Sequence, residues 1–191
     1  MNVNFKANRV LQTTIKEMVE NKSPANKKVT FIEFDPFVAD DINCLFNTAV
    51  DWRESKFALS VYQDAYMDGN WSEKDEIVKK YYALTEQMSN FKQPKHNKIL
   101  GLIETEQISK TLEFIHYLQV NPAFMWETLK SKYKHIGSSI LDAIKKLYPT
   151  KKILLEPEDG TEPFYIKNGF EKLEDSSKMM FKNCTKLTKK L

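Results

Sequence analysis

Small and basic residues come together in the segment KYKHIGSSIL, where an amphipathic helix is predicted to begin near Ile136. Gly137 has no side chain, so an anion could approach the backbone closely, and Ser138 and Ser139 carry hydroxyl groups that can donate hydrogen bonds. The first turn of a helix presents unpaired N–H groups and a partial positive charge, which together favour phosphate. The segment therefore predicts a phosphate-binding turn. The alternative is a helix cap with no ligand.

Histidine and cysteine, the residues most often used as metal ligands, are sparse in this chain. His96, His116 and His135 stand about twenty residues apart, without the close pairs of a metal site. Cys44 and Cys184 are far apart and neither lies in a metal or redox motif. We therefore predict no metal, and two reduced thiols.

Composition and charge limit the class of protein. The chain has 191 residues, 41% of them hydrophobic, which suits one globular α/β domain. Its 29 basic and 26 acidic residues give a net charge of +3, and only Arg9 and Arg53 are arginines. This balance argues against a nucleic-acid-binding surface. No segment has the apolar length of a signal peptide or a membrane span, so we expect a cytoplasmic protein with no nucleic-acid or membrane partner.

The elements around the phosphate turn are predicted from their hydrophobic patterns. NKILGLIETEQIS and LEFIHYLQVNP alternate as two strands that could pair antiparallel. A helix from Ile136 to about Leu147 then leads to a buried strand in KKILLEPED, an order that implies a mixed sheet with a crossover helix. In such sheets ligands bind where a strand ends and a helix begins.

The rest of the chain is predicted to supply further helices and strands. Val10, Leu11, Ile15, Met18 and Val19 lie at helical spacing, so residues 1–22 are predicted as an amphipathic helix. Residues 28–34 alternate like a strand, and residues 52–90 are predicted to be rich in helix. The segment DPFVADDINCLFNTAVDW is predicted to form a helix whose inward positions are Ile42, Leu45, Phe46 and Val50.

The C-terminal region begins with a predicted short helix in TEPFYIKNGF. Thr161 could cap it, Pro163 suits its first turn, and Gly169 suits a left-handed exit. EKLEDSSKMMFKN then has the pattern of strand, turn and strand.

The order of YLQVNP, KYKHIGSSIL, KKILLEP and FYIKNGF resembles that of the GNAT N-acetyltransferase superfamily. FYIKNGF matches the family segment Phe-Tyr-x-Lys-x-Gly-Phe at every fixed position. In the pyrophosphate motif Gln/Arg-x-x-Gly-x-Gly/Ala, Gly137 matches, while Lys132 and His135 replace the Gln or Arg and the first glycine. The inserted segment AFMWETLKS lengthens the connection before this motif. The resemblance covers residues 99–182 well and 28–92 loosely.

The resemblance implies an α/β (α+β) fold with a GNAT-type mixed, mostly antiparallel central sheet flanked by helices. With the N-terminal pattern added, we expect an extra helical arm over residues 1–27 and a single acetyltransferase-like domain over residues 28–191.

The same resemblance implies that acetyl-CoA is the co-substrate and that its acetyl group passes to a primary amine. The pantetheine arm would pair with the backbone of the strand containing YLQV, and the pyrophosphate would lie on the turn described above. The implied CoA-binding residues are Leu118, Gln119, Val120, Lys132, Lys134, His135, Ile136, Gly137, Ser138, Ser139 and Tyr165.

Proton transfer has candidates of two kinds. Tyr165 matches the family tyrosine that protonates the CoA sulfur, and its phenol, with a reference pKa of about 10, stays protonated at neutral pH. For the base we consider His116, which the alternation places on one strand face with Phe114, Leu118 and Val120, and Glu104 acting through a water. The remaining carboxylate candidates are Glu113 and Glu156.

The acceptor is predicted as a small-molecule or peptide amine, and its identity stays open. Residues 52–90 and the inserted Phe124, Met125 and Trp126 would shape its pocket, and the acidic turn EPEDG could attract a cation or be a solvated loop. The oligomeric state is also open, with a homodimer as one option. Two alternatives to an enzyme are a catalytically silent relative that binds CoA or keeps the fold as a regulatory module, and a basic nucleic-acid-binding domain.

Overall fold

The computed structural model describes residues 8–18, 23–53, 55–71, 73, 78–88, 93–125, 131–174 and 176–182. Its helices are α1 (Ala39–Asp51), α2 (Lys56–Trp71), α3 (Ile136–Leu147) and α4 (Glu162–Lys167). Its strands are β1 (Asn8–Glu17), β2 (Ala25–Phe34), β3 (Lys79–Thr85), β4 (Ile99–Ser109), β5 (Leu112–Val120), β6 (Tyr133–Lys134), β7 (Lys152–Leu155), β8 (Glu171–Lys172) and β9 (Met179–Lys182). Two short 3-10 turns span His96–Lys98 and Pro122–Phe124.

The nine strands of the described residues belong to one sheet in the order β6-β1-β2-β3-β4-β5-β7-β9-β8. Every neighbouring pair is antiparallel except β5 and β7, which run parallel and are joined through the crossover helix α3. The predicted mixed, mostly antiparallel sheet flanked by helices is therefore confirmed. The antiparallel pair β4 and β5, the crossover from β5 to β7 and the β8–β9 pair were all expected from the patterns.

The two faces of the sheet carry separate hydrophobic cores. One core joins α3 to the sheet through Ile136, Ile140 and Ile144, and half-buried side chains from α4 pack against it. The other core joins α1 and α2 to the opposite face through residues such as Leu45 and Val61. The sheet thus separates an α3 face from an α2 face, and each carries part of the candidate site.

The prediction of an N-terminal helix was wrong, because residues 8–17 form strand β1. Asn8–Glu17 pairs antiparallel with β2 along its length, with an irregularity at Val10. Leu11 and Ile15 are four residues apart, which fits a helical period and also fits every second position of a strand. The β-branched residues around Ile15, including Thr13 and Thr14, favour the strand.

Two predictions in the helix-rich half also need correction. Lys79–Thr85 is a strand at the centre of the sheet, within the range predicted to be rich in helix. Its Tyr81 and Tyr82 are buried on opposite faces of the sheet. A strand covered on both faces does not alternate between polar and apolar residues, so its sequence lacks the usual strand pattern. In α1 the structure buries Leu45 but leaves Phe46 46% and Val50 45% exposed, so the predicted inward face was wrong at those two positions.

The exit and entry of α4 were predicted with mixed success. Gly169 has φ +84°, the left-handed exit expected of it. Thr161 makes no side-chain cap, so that prediction was wrong, and its hydroxyl donates to the Glu158 carbonyl at 2.7 Å.

Candidate active site

The parallel strands β5 and β7 pair over only part of their length. Leu112–Ile115 lies in register with Lys152–Leu155, after which β7 ends and β5 continues to Val120. Along residues 116–120 the edge of β5 that faces away from β4 has no paired strand within the described part of the chain. The backbone of the predicted pantetheine strand, Leu118, Gln119 and Val120, is therefore open on that side. One group there is already used, since Gln119 Nε2 donates to the Val120 carbonyl at 2.6 Å.

Helix α3 begins beside the end of β5. The Ser139 N–H donates to the His135 carbonyl at 2.9 Å, the first bond of the helix. The N–H groups of Ile136, Gly137 and Ser138 come before that bond, so they have no intrahelical acceptor and are the donors that could bind an anion. His135, at the N-cap, adopts φ 64° and has no side-chain capping bond.

The two small residues of this turn also have structural roles. A Cβ on Gly137 would lie 3.0 Å from Phe164 Cζ and 3.5 Å from Val120 Cγ2, so this glycine allows α4 to pack against the turn. The buried Ser139 hydroxyl donates to the Thr14 carbonyl of β1 at 2.8 Å. Both donors of Ser139 are thus taken, which argues against its predicted part in phosphate binding. Ser138 is half-buried.

The lysines before α3 are held at the edge of the sheet by β6. Lys134 of β6 pairs with Lys16 of β1. The side chains of Lys132 and Lys134 are both exposed. Lys132 Nζ lies 3.8 Å from Glu17 Oε1 and 4.9 Å from the centre of the Tyr133 ring. Lys134 directly precedes His135, the N-cap of α3, and Lys132 lies two residues before Lys134.

A polar network that the sequence did not reveal anchors β6. The buried Tyr133 phenol donates to Glu86 Oε2 at 2.7 Å and accepts from Lys27 Nζ at 2.6 Å. Lys98 Nζ adds a bond to Glu86 Oε1 at 2.8 Å. Burial acts to raise the pKa of Glu86, but these donors outweigh it and lower that pKa to about 2. No sequence motif links these four positions, because they lie on separate strands and turns.

Tyr165 lies on α4, over the α3 face of the sheet. Its ring contacts Phe164 at 5.0 Å and Phe170 at 5.8 Å between centroids. Burial, together with the nearby charge of Glu158, raises its pKa to about 12, so the phenol is protonated at neutral pH. No hydrogen-bond partner of the phenol oxygen lies within the described residues, which leaves this O–H free to donate.

Glu104 is the most unusual carboxylate of the described residues. It lies on β4 opposite Tyr117 of β5 and is 0% exposed. Lys79 Nζ lies 3.1 Å from its Oε1 as an ion pair, and no hydrogen bond to either oxygen is found within the described part of the protein. Burial raises its pKa to about 8, against the lowering effect of the Lys79 charge. A carboxylate of this kind can accept a proton near neutral pH.

His116 is the extra residue of a bulge in β5. Glu104 pairs with Tyr117 and Thr105 with Ile115, so in the strand register no residue of β4 lies opposite His116. The bulge breaks the alternation: Leu118 and Val120 pack into the α3-side core, whereas His116 reaches Glu106 of β4 by a close contact through Nε2. The predicted common face with Leu118 and Val120 was therefore wrong. His116 remains half-buried and next to Tyr117, near Glu104.

The other candidates are placed less favourably. Glu113 is buried, accepts from Thr105 Oγ1 at 2.8 Å and pairs with Lys151 at 2.8 Å, a structural arrangement. Glu156 is exposed and accepts a hydrogen bond from Ser177. In the inserted segment Phe124 packs on Tyr133 at 5.1 Å, and Trp126 lies outside the described residues.

Metal sites and membrane spans were also sought in the described ranges. No group of three or more His, Cys, Asp and Glu side chains there is arranged to hold a metal ion. None of the helices in the same ranges combines the length and apolar character that crossing a bilayer needs.

No family model matches the sequence, and no curated protein matches it. Solved structures do resemble the fold. An acetyltransferase of the GNAT family from Staphylococcus aureus Mu50 matches with TM-score 0.51 at 16% identity, covering 81% of this chain and 99% of that one. A protein assigned to the GNAT family from Desulfovibrio desulfuricans matches with TM-score 0.50 at 13% identity, covering 80% and 96%. At these identities the likeness is one of fold.

Proposed function

We propose that this chain, whose fold is that of the GNAT acetyltransferases, is an acetyl-CoA-dependent N-acetyltransferase that acts by direct transfer to a small-molecule or peptide amine. The observation that carries the proposal is the divergence of β5 from β7 beside the amino end of α3. It leaves a strand edge and a set of helix N–H donors next to each other, and this pairing fits a ligand with an amide-bearing arm and a diphosphate.

The residues present fit that ligand in three respects. The open edge of β5 at Leu118–Val120 can pair with amide groups, and the N–H groups of Ile136, Gly137 and Ser138 can bind phosphate. Lys132 and Lys134 add positive charge beside them. Acetyl-CoA would supply a thioester, that is, an acyl carbon open to attack and a thiolate leaving group.

The protein's own part is to move two protons. Glu104 would take the proton from the amine as its nitrogen bonds to the acyl carbon, directly or through one water. Tyr165 would give its phenolic proton to the sulfur as the carbon–sulfur bond breaks. A backbone N–H of β5 near Val120 would stabilise the negative charge that develops on the acyl oxygen.

A catalytically silent relative is the second candidate, because two features of the turn serve packing. A Cβ on Gly137 would lie only 3.0 Å from Phe164 Cζ, and His135 stands in a left-handed conformation where the family motif has a glycine. Such a turn could support the fold without binding a diphosphate.

Two measurements separate these candidates. Acetyl-CoA at about 100 times its dissociation constant should stabilise the folded chain by about 2.7 kcal/mol, which thermal melting detects. Thiol release in the presence of a panel of primary amines then tests turnover. Melting that acetyl-CoA leaves unchanged would contradict the proposal, and a melting shift without thiol release from any amine would favour the silent relative.

A further inference from the structure

Lys79 places an ammonium group against the buried carboxyl of Glu104. Lys79 is the first residue of β3, and its Nζ is 3.1 Å from Glu104 Oε1. The same Nζ also donates a hydrogen bond to Asp64 of α2. The Lys79 and Asp64 side chains are 27% and 34% exposed, whereas Glu104 is 0% exposed. The three groups therefore run from the interior of the sheet to the surface.

Other charged or titratable groups near Glu104 are already engaged with different partners. On β3, Tyr81 lies opposite Glu104 and donates through its hydroxyl to Asp68 of α2 at 2.6 Å. On β4 and β5, Glu106 is occupied by His116, and Tyr117 packs its ring on Phe57 at 5.5 Å. Lys79 is the one cation of the described residues in ion-pair contact with Glu104.

Simple electrostatics predicts the direction in which each neighbour acts. A positive charge 3.1 Å from a buried carboxylate favours its ionised form, and a second carboxylate nearby disfavours that form. The Asp64 bond also steers the Lys79 side chain, which would otherwise have many rotamers. Burial alone would keep Glu104 protonated at neutral pH, so its use as a base requires an opposing charge.

We propose that Lys79, held by Asp64, is a positioning residue that keeps the Glu104 carboxyl in place and sets the pH range in which Glu104 can accept a proton from the acceptor amine. This inference rests on the proposed function, in which Glu104 is the base. Lys79 itself need not touch either substrate.

Three variants test the inference through the pH dependence of kcat/KM. In the native protein the rate should rise with pH around 8, because the ionised carboxylate is the active form. Lys79→Met should move this inflection upward by one pH unit or more, which lowers the rate about tenfold at pH 7 but restores it at high pH. Asp64→Asn should move it downward, and Lys79→Arg should keep it near the native value.

The matched control is Lys80→Met. Lys80 follows Lys79 on β3 but is paired with Glu33 at 2.9 Å and is half exposed, so its removal should leave the inflection unchanged. General destabilisation would lower the rates of both Lys79→Met and Asp64→Asn, and raising the pH would not restore either rate.

A second readout does not depend on turnover. The Glu104 carboxyl can be titrated by carbon NMR in protein labelled at glutamate, with its signal assigned by Glu104→Gln. A shift of this titration to higher pH in Lys79→Met, matched by the rate profile, supports the inference. A Glu104 titration that Lys79→Met leaves unmoved overturns it, even if the native protein shows no turnover. A moved titration with an unmoved rate profile also overturns it, since the base would then lie elsewhere.

Discussion

At the scale of single residues, the candidate site has the Tyr165 phenol and the buried Glu104 carboxyl on different elements. Tyr165 was predicted from the match of FYIKNGF to the family segment, and the structure packs its ring against Phe164 and Phe170 of that segment. The surroundings of Glu104 could not be predicted in the same way. Its burial and its contact with Lys79 depend on β3, which the charged sequence of residues 52–90 concealed. A local motif can indicate which side chain belongs to a site. The protonation state of that side chain depends on its burial and neighbours in the packed sheet.

Removing the Tyr165 hydroxyl should separate chemistry from binding. Tyr165→Phe keeps the ring contacts of α4, so acetyl-CoA should stabilise the variant as much as the native protein. Turnover should fall about 10²-fold or more, because the thiolate would leave without its proton donor. Steady-state rates and melting with acetyl-CoA measure the two effects. Tyr66→Phe, on the exposed side of α2, serves as the control, and native turnover in Tyr165→Phe would end the assignment of Tyr165 as the acid.

At the scale of elements, patterns predicted the strands and helices of the C-terminal half better than those of the N-terminal half. Ile140, Ala143 and Ile144 all enter one core, and spacings of three and four together fit a helix and not a strand. The spacing of Leu11 and Ile15 fits a helix and a strand equally, and only the partner β2 decides between them. The bulge at His116 could not be read from β5, because it exists only in register with β4.

The turn before α3 should gain stability from a single change. His135 is exposed and has φ 64°, a left-handed conformation that costs energy for residues with a Cβ. We expect His135→Gly to raise the free energy of unfolding by about 0.5–1 kcal/mol, measured by urea denaturation. Lys134→Gly, one residue earlier in extended β6, should instead lower it, because glycine has more freedom to lose there. Equal effects of the two changes would show that conformation at His135 is not the cause.

At the scale of the whole molecule, the sheet edge formed by β6 and β1 leads directly into the candidate site at the start of α3. Strand β1 pairs with β6, and the network of Lys27, Glu86, Lys98 and Tyr133 joins β6 to β2, to the end of β3 and to the residue before β4. The edge from which α3 begins is therefore held by ion pairs and hydrogen bonds as well as by apolar contacts.

This network predicts how acid should unfold the protein. The pKa of Glu86 is about 2 in the folded state and lies near 4.5 when unperturbed, so its ionised form favours folding. That contribution is complete above about pH 4.5 and is lost as the pH falls toward 2. Urea midpoints measured over this range should fall in the native protein, and Glu86→Gln should remove part of the slope. Glu162→Gln, at an exposed pair with Lys172, is the control, and an equal loss of slope there would rule out the network as the cause.

The bond from Ser139 to Thr14 joins positions 125 residues apart, and β1 meets β6 over a similar separation. Contacts between such distant positions form slowly, since a long loop must close before they contribute. The amino end of α3 should thus reach its final place late in folding. During synthesis on the ribosome, β1 and its neighbour β2 would emerge long before β6 and α3. A chain cut short before residue 134 could build much of the sheet and still lack the turn from which α3 begins.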